Sequence, residues 1–379
     1  VVGGLKGRVE VGGEMGAQEV FAPGEYVHVR VMVSAQRGMD VPREVNGGTV
    51  EIHVQTPGGG EGKEYIADPL LMYSNGREAF KVVGEWRPAA AGSSWMVADG
   101  RWRLSGSEGY WVDAKTKKDV TFSMRAEGTY KVWAEYEVKA GKGAARDAWR
   151  GKLVTPVATW TVAEMPAEKR RMAMTAEQEG MVAKWLGGDE GMMEKLRGQM
   201  LEAENEGLAL KMVGIVKGGG KEAANALGLL EERAGDVGTS VGIDGPYLKE
   251  LATWEVEGME AEEKGERRDF SPQMSSLVYV TLHPEDEGLR GRLAAIAEGS
   301  CRLTAGGGVM PPFEAWRTLI VTGVLRDGMT VGEAEGVLGK PTAATGEGMA
   351  WRVESGRHVN PSVGATLKEG KLSGWRAGF

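Results

Sequence analysis

GTYKVWAEYEV, residues Gly128–Val138, alternates apolar and polar side chains along its length. Tyr130, Val132, Ala134, Tyr136 and Val138 occupy every second position. Successive side chains of a strand point to opposite faces, so the spacing predicts a strand with these five turned into a core. The other face then carries Thr129, Lys131, Trp133, Glu135 and Glu137. An aromatic ring among charges on a polar sheet face is placed either to stack on a ligand or partner or to pack against another part of the chain. Trp133, with Lys131 and Glu135 beside it, is therefore the candidate binding site.

Working outward, the same period-2 pattern recurs through the first 163 residues. Glu25–Ser34 sets Val27, Val29, Val31 and Val33 on one face and Tyr26, His28 and Arg30 on the other. Thr49–Gln55 repeats it with Val50, Ile52 and Val54, and Leu153–Val162 with Val154, Ala158, Trp160 and Val162. Phe80–Trp86, Arg101–Leu104 and Val120–Met124 are shorter candidates, separated by turn signals such as Pro57–Gly62 and Ala98-Asp99-Gly100. Short strands at this spacing predict an all-β two-sheet sandwich over 1–163. The pair Tyr130-x-Val132 resembles the tyrosine-corner position of immunoglobulin-like domains, with Val where antibody domains carry Cys. That resemblance implies a disulfide-free bacterial sandwich and no activity.

A charged connector, Ala163–Arg171, marks the first boundary. Helical periodicity predicts a second region over 172–305. Thr175 with Gln178 has capping-box spacing and leads into Met181, Val182, Trp185 and Leu186. Met193, Leu196, Met200 and Ala203 form the next stripe, and Gly207–Lys217, Lys221–Arg233 and Asp286–Glu298 follow. The short helices loosely resemble HEAT-type hairpins. Within the region, Leu277–Leu282 reads as a strand and the charged run Glu255–Asp269 as a solvated helix face.

The third region, 312–379, is read from GMTVGEAEGVLGKP, Gly328–Pro341. Thr330 and Glu333 have capping-box spacing. Val331, Ala334, Val337 and Leu338 make an apolar stripe, and Gly339 and Pro341 supply the stop. The stretch resembles the GMT-x-x-E-V-x-x-L-L-G-x-P helix of the SmpA/BamE-like outer-membrane assembly lipoproteins through Gly328, Met329, Thr330, Glu333, Leu338, Gly339 and Pro341. The resemblance implies two helices on a three-stranded antiparallel sheet. Phe313–Leu325 is expected as the first helix. Met349–Glu354, His358–Leu367 and Lys371–Phe379 are the expected strands, the last two joined at Glu369-Gly370.

Composition narrows the chemistry. The 379 residues carry a net charge of −8, and no stripe of Lys and Arg is present, so a nucleic-acid partner is not expected. No run approaches a membrane-spanning length. The single cysteine, Cys301, excludes an intrachain disulfide and reads as a buried thiol. His28, His53, His283 and His358 fall in different elements with no HExxH, so no metal ligands are expected. Gly106-Ser107-Glu108-Gly109 lacks the spacing of a nucleophile elbow. Gly218–Lys221 and Gly339-Lys340 lack the following hydroxyl of a phosphate loop. No catalytic residue and no cofactor is therefore expected.

These readings converge on a non-catalytic, exported binding or scaffolding protein with a protein partner in the bacterial cell envelope. The alternatives are an outer-membrane assembly factor of the SmpA/BamE type and an enzyme with an inter-domain site lacking linear motifs. A start at Val1 implies a removed leader and hence a periplasmic or secreted location. A mature lipoprotein begins with Cys, so a lipid anchor is not expected.

Overall fold

The computed structural model describes residues 2–14, 16–42, 49–58, 63–67, 86–104, 111–120, 122, 124, 126–138, 148–236, 240–266, 275–302, 309–345, 347–353 and 361–378. They divide into two compact units, Val1–Ala209 with Gly238–Ile243, and Leu210–Val237 with Asp244–Phe379.

In the first unit the strands are β1 (Leu5–Gly13), β2 (Tyr26–Ala35), β3 (Thr49–Gln55), β4 (Glu64–Ala67), β5 (Ser94–Arg103), β6 (Trp111–Asp113), β7 (Gly128–Val138), β8 (Gly151–Val154) and β9 (Ala158–Val162). Shorter pieces complete the sheets. β1, β2 and β5 lie side by side in a four-stranded sheet whose edge is Gly16–Ala17. An eight-stranded sheet runs from Asp119–Val120 through β6, β4, β3, β7 and β9 to Val20–Phe21, with β8 also paired to β7. All of these pairings are antiparallel except that of β9 with Val20–Phe21. The alternation in the sequence becomes a shared core: Val27, Val29, Val31 and Val33 of the four-stranded sheet and Val50, Ile52, Val54, Val132 and Ala134 of the other belong to one apolar cluster. Tyr130 sits in it, stacked on Trp160 at 5.3 Å, and its hydroxyl donates to the Ala126 carbonyl at 2.9 Å. Tyr136 stacks on Trp149 at 5.6 Å.

The first unit also contains helices α1 (Ala176–Leu186) and α2 (Met192–Met200). Thr175 and Gln178 close the expected capping box, and the Met181, Val182 and Trp185 face is buried. The Gln178 side chain is buried as well, donating to Gln199 and Asn205.

Helix α3 (Glu206–Gly218) precedes the helices of the second unit: α4 (Ala223–Ala234), α5 (Pro246–Glu263), α6 (Ser275–Leu282), α7 (Glu287–Arg302), α8 (Pro312–Val321) and α9 (Val331–Leu338). Its principal strands are β10 (Gly348–Arg352), β11 (Ser362–Lys368) and β12 (Lys371–Gly378). Thr330 caps α9 as the sequence predicts: its hydroxyl accepts from the Glu333 amide at 3.3 Å, and the Glu333 carboxylate accepts from the Thr330 amide at 2.7 Å. Gly339 ends the helix at φ +78°, in the region that favours glycine. The Trp351 indole donates to the Gly339 carbonyl at 2.9 Å and so ties the helix end to β10.

The expected succession of an all-β immunoglobulin-like sandwich, a helical region and a two-helix, three-stranded end does not describe this chain. The architecture is mixed α/β, with sheets of four, eight, two, five and two strands and nine α-helices among the described residues. The sheet-rich unit keeps two helices of its own. The last sheet has five strands, because Met329–Thr330 and Ala343–Thr345 flank the three expected ones. These added strands are two or three residues long, too short to show a period, and their pairing is set by tertiary contact. Leu277–Leu282, expected as a strand, lies in α6. Its β-branched run is overridden by burial on all sides, with Leu277, Val278, Tyr279 and Val280 buried together. Glu255, expected on a solvated face, is fully buried. Its carboxylate accepts from the Ser276 and Ser275 amides at 2.7 and 3.3 Å at the start of α6. Apart from Trp86, the expected strand Phe80–Trp86 lies outside the described residues, as does His358.

Candidate functional site

Strands β3, β4 and β7 place the candidate site on the outer face of the eight-stranded sheet. On β3 and β7 the even-numbered residues are in the core, so the odd-numbered ones turn to the other face. On β4, Ala67 is in the core, so Glu64 and Ile66 turn outward, and the pairing fixes which of these meet. Trp133 lies directly opposite His53, and Glu135 opposite Glu51. His53 is opposite Ile66 on β4, so Ile66, His53 and Trp133 form one cross-strand row. The His53 and Trp133 rings stack at 5.1 Å with planes 15° apart. Under the half-buried Trp133, His53 keeps only 6% of its surface exposed.

Carboxylates surround the imidazole. Its Nδ1 is 2.8 Å from Glu64 Oε1. Its Nε2 is buried without a hydrogen-bond partner, and faces Glu51 Oε2 and Glu135 Oε2, each at 3.7 Å. Lys152 on β8 forms an ion pair with Glu135. Hydrogen bonding to Glu135 holds the Lys152 ammonium above its ordinary pKa, assisted by the charges of Glu135, Glu51 and Glu137.

Of the residues singled out from the sequence, Trp133, Glu135 and Lys131 all lie on this face. Trp133 and Glu135 join the cluster, and exposed Lys131 stands opposite Gln55 and Thr159. Glu51, His53, Glu64 and Lys152 were missed. The alternation of Val50, Ile52 and Val54 already turns Glu51 and His53 outward, but bringing them to Glu135 requires the register between strands some eighty residues apart. Each of the other described histidines also has a carboxylate beside it, supplied by the fold. His28 Nε2 is 3.0 Å from Glu14, and His283 is 3.0 Å from Asp244 and 3.1 Å from Glu285.

Sequence reading also passed over Gly238-Thr239-Ser240-Val241-Gly242, which has the G-x-S-x-G spacing of a nucleophile elbow. Such an elbow sets its serine on a sharp turn between a strand and a helix. Ser240 instead lies within the short strand Ser240–Val241, and the next helix begins only at Pro246. Cys301 is half-buried, and burial, reinforced by Glu298, pushes its thiol up to about 11. That removes the thiolate a nucleophile needs.

A cavity of about 560 Å³ opens elsewhere in the first unit, lined among others by Glu25, Lys169, Arg171, Glu202 and Glu204. Glu25 is held by the Ala22 and Ala203 amides, both at 2.7 Å. Arg171 pairs with Glu204 and donates to Asn205 at 2.8 Å. Burial, then the charges of Glu204 and Glu25, push the Glu202 carboxyl up to about 7. No Ser, Thr, Cys, His or Tyr is among the described residues lining this cavity.

No protein-family model matches the chain, and no curated protein does. Among solved structures it is similar in part to a β-glucosidase of Erythrobacter marinus, at 9% identity over 42% of this chain and 15% of that one, with a TM-score of 0.19. The R. palustris protein CsgH aligns at 10% identity over 41% of this chain and 91% of that one, TM-score 0.17. The Escherichia coli α-2-macroglobulin segment aligns at 10% identity over 88% and 54%, TM-score 0.19. At such scores these neighbours carry no argument about fold or activity, for the glucosidase or for the resemblances read from the sequence. No helix among the described residues is long and apolar enough to cross a membrane.

Proposed function

We propose that this chain is a non-catalytic binding protein that holds a protein partner on the outer face of β3, β4 and β7. The observation that supports the reading is the His53–Trp133 stack, an aromatic pair on the sheet face opposite the core, continued by Ile66. Half-buried aromatics of this kind anchor interfaces, because they supply large contact area with few rotamers to freeze. Glu51, Glu64, Glu135 and Glu137 outnumber Lys131 and Lys152 around the stack. A segment presenting an apolar anchor flanked by basic side chains is thus the matching occupant.

A non-catalytic role is favoured by the surroundings of the other candidate groups. The Glu202 carboxyl can hold a proton near neutrality, but no Ser, Thr, Cys, His or Tyr is among the described residues that line its cavity. Placement in the bacterial envelope rests on the likeness of Gly328–Pro341 to the SmpA/BamE helix. The test is retention of envelope proteins by immobilised wild-type chain and by Trp133→Ala, with equal folding shown by circular dichroism. The reading expects specific proteins retained by the wild type and lost from the variant. Equal retention by both would exclude this face.

A further inference from the structure

We propose that Glu51, His53 and Glu135 form a binding site for a single divalent transition-metal ion of the zinc type. One ligand atom from each, His53 Nε2 and a carboxylate oxygen from each glutamate, lies within 4.8 Å of the other two. The Nε2-to-oxygen distances are both 3.7 Å. Zinc bonds of about 2.0–2.2 Å in a tetrahedron set neighbouring ligand atoms roughly 3.3–3.6 Å apart. Small rotations of the two glutamates therefore close the set around an ion. A fourth position stays open for water, or for a group from a partner.

Proximity of acidic groups alone means little on a chain with 54 of them. His53 sets this cluster apart. Its side chain is more than nine-tenths buried, and its Nε2 points between the two carboxylates with no hydrogen-bond partner among the described residues. A buried imidazole nitrogen left without a partner costs stability unless something occupies it. The opposite nitrogen is engaged by Glu64 at 2.8 Å. A carboxylate bound to the far nitrogen of a metal-binding histidine fixes its tautomer, leaving a lone pair on Nε2, and strengthens it as a ligand.

The glutamate pair points the same way. Like charges directly across a strand pair are destabilising, yet Glu51 and Glu135 face each other in register. A cation between them resolves the repulsion. In this structure Lys152 partly fills that role from one side, through Glu135. Its side chain is half exposed, so an ion arriving from solvent can displace the ammonium from Glu135. One imidazole with two carboxylates suits zinc, nickel or copper, whereas magnesium and calcium prefer all-oxygen sets. Metal binding does not depend on the partner reading, and it is measured with the metal alone.

The experiment is calorimetric titration of the full chain with Zn²⁺, repeated with His53→Gln, Glu64→Gln and Lys152→Met, all checked for folding by circular dichroism. The proposal expects one ion per wild-type chain. It expects affinity to fall about tenfold or more in Glu64→Gln, as for other outer-shell partners, and further in His53→Gln. Lys152→Met should bind more tightly than wild type, because the competing ammonium is gone. A millimolar excess of Mg²⁺ should not displace the ion. Absence of binding by the wild type, or equal binding by folded His53→Gln, would overturn the proposal. If His53→Gln fails to fold, the surface variant decides: unchanged or weaker binding by Lys152→Met overturns it as well.

Discussion

Removing one oxygen from Tyr130 tests the core behind the binding face. Tyr130 is fully buried, stacked with its ring 3° from parallel to Trp160, and donates its hydroxyl to the Ala126 carbonyl at 2.9 Å. Tyr130→Phe keeps the ring and the stack and removes one buried hydrogen bond, for an expected loss of about 0.5–1.5 kcal/mol. Tyr130→Ala removes the ring as well, and truncation of a buried aromatic costs about 3–5 kcal/mol. The two variants should therefore differ by roughly 1.5–4.5 kcal/mol, the difference of those ranges. Urea unfolding followed by circular dichroism measures both. Burial also pushes the Tyr130 phenol up to about 12, so it should not ionise in an ultraviolet titration until strongly alkaline pH. Equal losses in the two variants would refute the reasoning, by showing that the ring contributes nothing beyond its hydroxyl.

Thr330→Ala should destabilise the C-terminal unit by about 1 kcal/mol through loss of the cap on α9, and unchanged denaturation midpoints would show that the capping box contributes nothing. Glu202 has a folded-state pKa of about 7, above its ordinary 4.5. Its contribution to stability is thus intact below pH 4.5 and is lost as pH rises through 7, and Glu202→Gln should flatten that part of the wild-type pH–stability profile. Cys301, with its thiol pushed up to about 11, should react with iodoacetamide far more slowly at pH 7.5 than free cysteine does. A rate equal to that of free cysteine would contradict the burial of its sulfur.

Side-chain parity was legible in the sequence. Val27 to Val33, Tyr130 to Val138 and the Thr330–Glu333 box contain all the information that puts them where they are, because a period or a cap is a local property. Trp133 was found in the same way, as the odd residue on a polar face. The rest of the site was not legible. His53 and Glu135 meet only because β3 pairs with β7 in one particular register, and nothing local to either strand specifies that register. The same limit explains the fold correction. Val20–Phe21 joins β9 in parallel, and Met329–Thr330 joins β12, through pairings between distant segments that leave no periodic trace. At α6, local preference pointed to a strand and burial chose a helix.

The central claim, a partner bound on the outer face of β3, β4 and β7, is tested most directly by where a crosslink forms. A photoreactive amino acid is placed at Lys131 on that face, and in a second chain at Glu177, exposed on α1. Both are irradiated in native envelope fractions, with and without Trp133→Ala. The account predicts a discrete crosslinked protein from position 131, absent from position 177 and lost in the Trp133→Ala background. A product of equal yield from both positions, or one indifferent to the loss of Trp133, would contradict it.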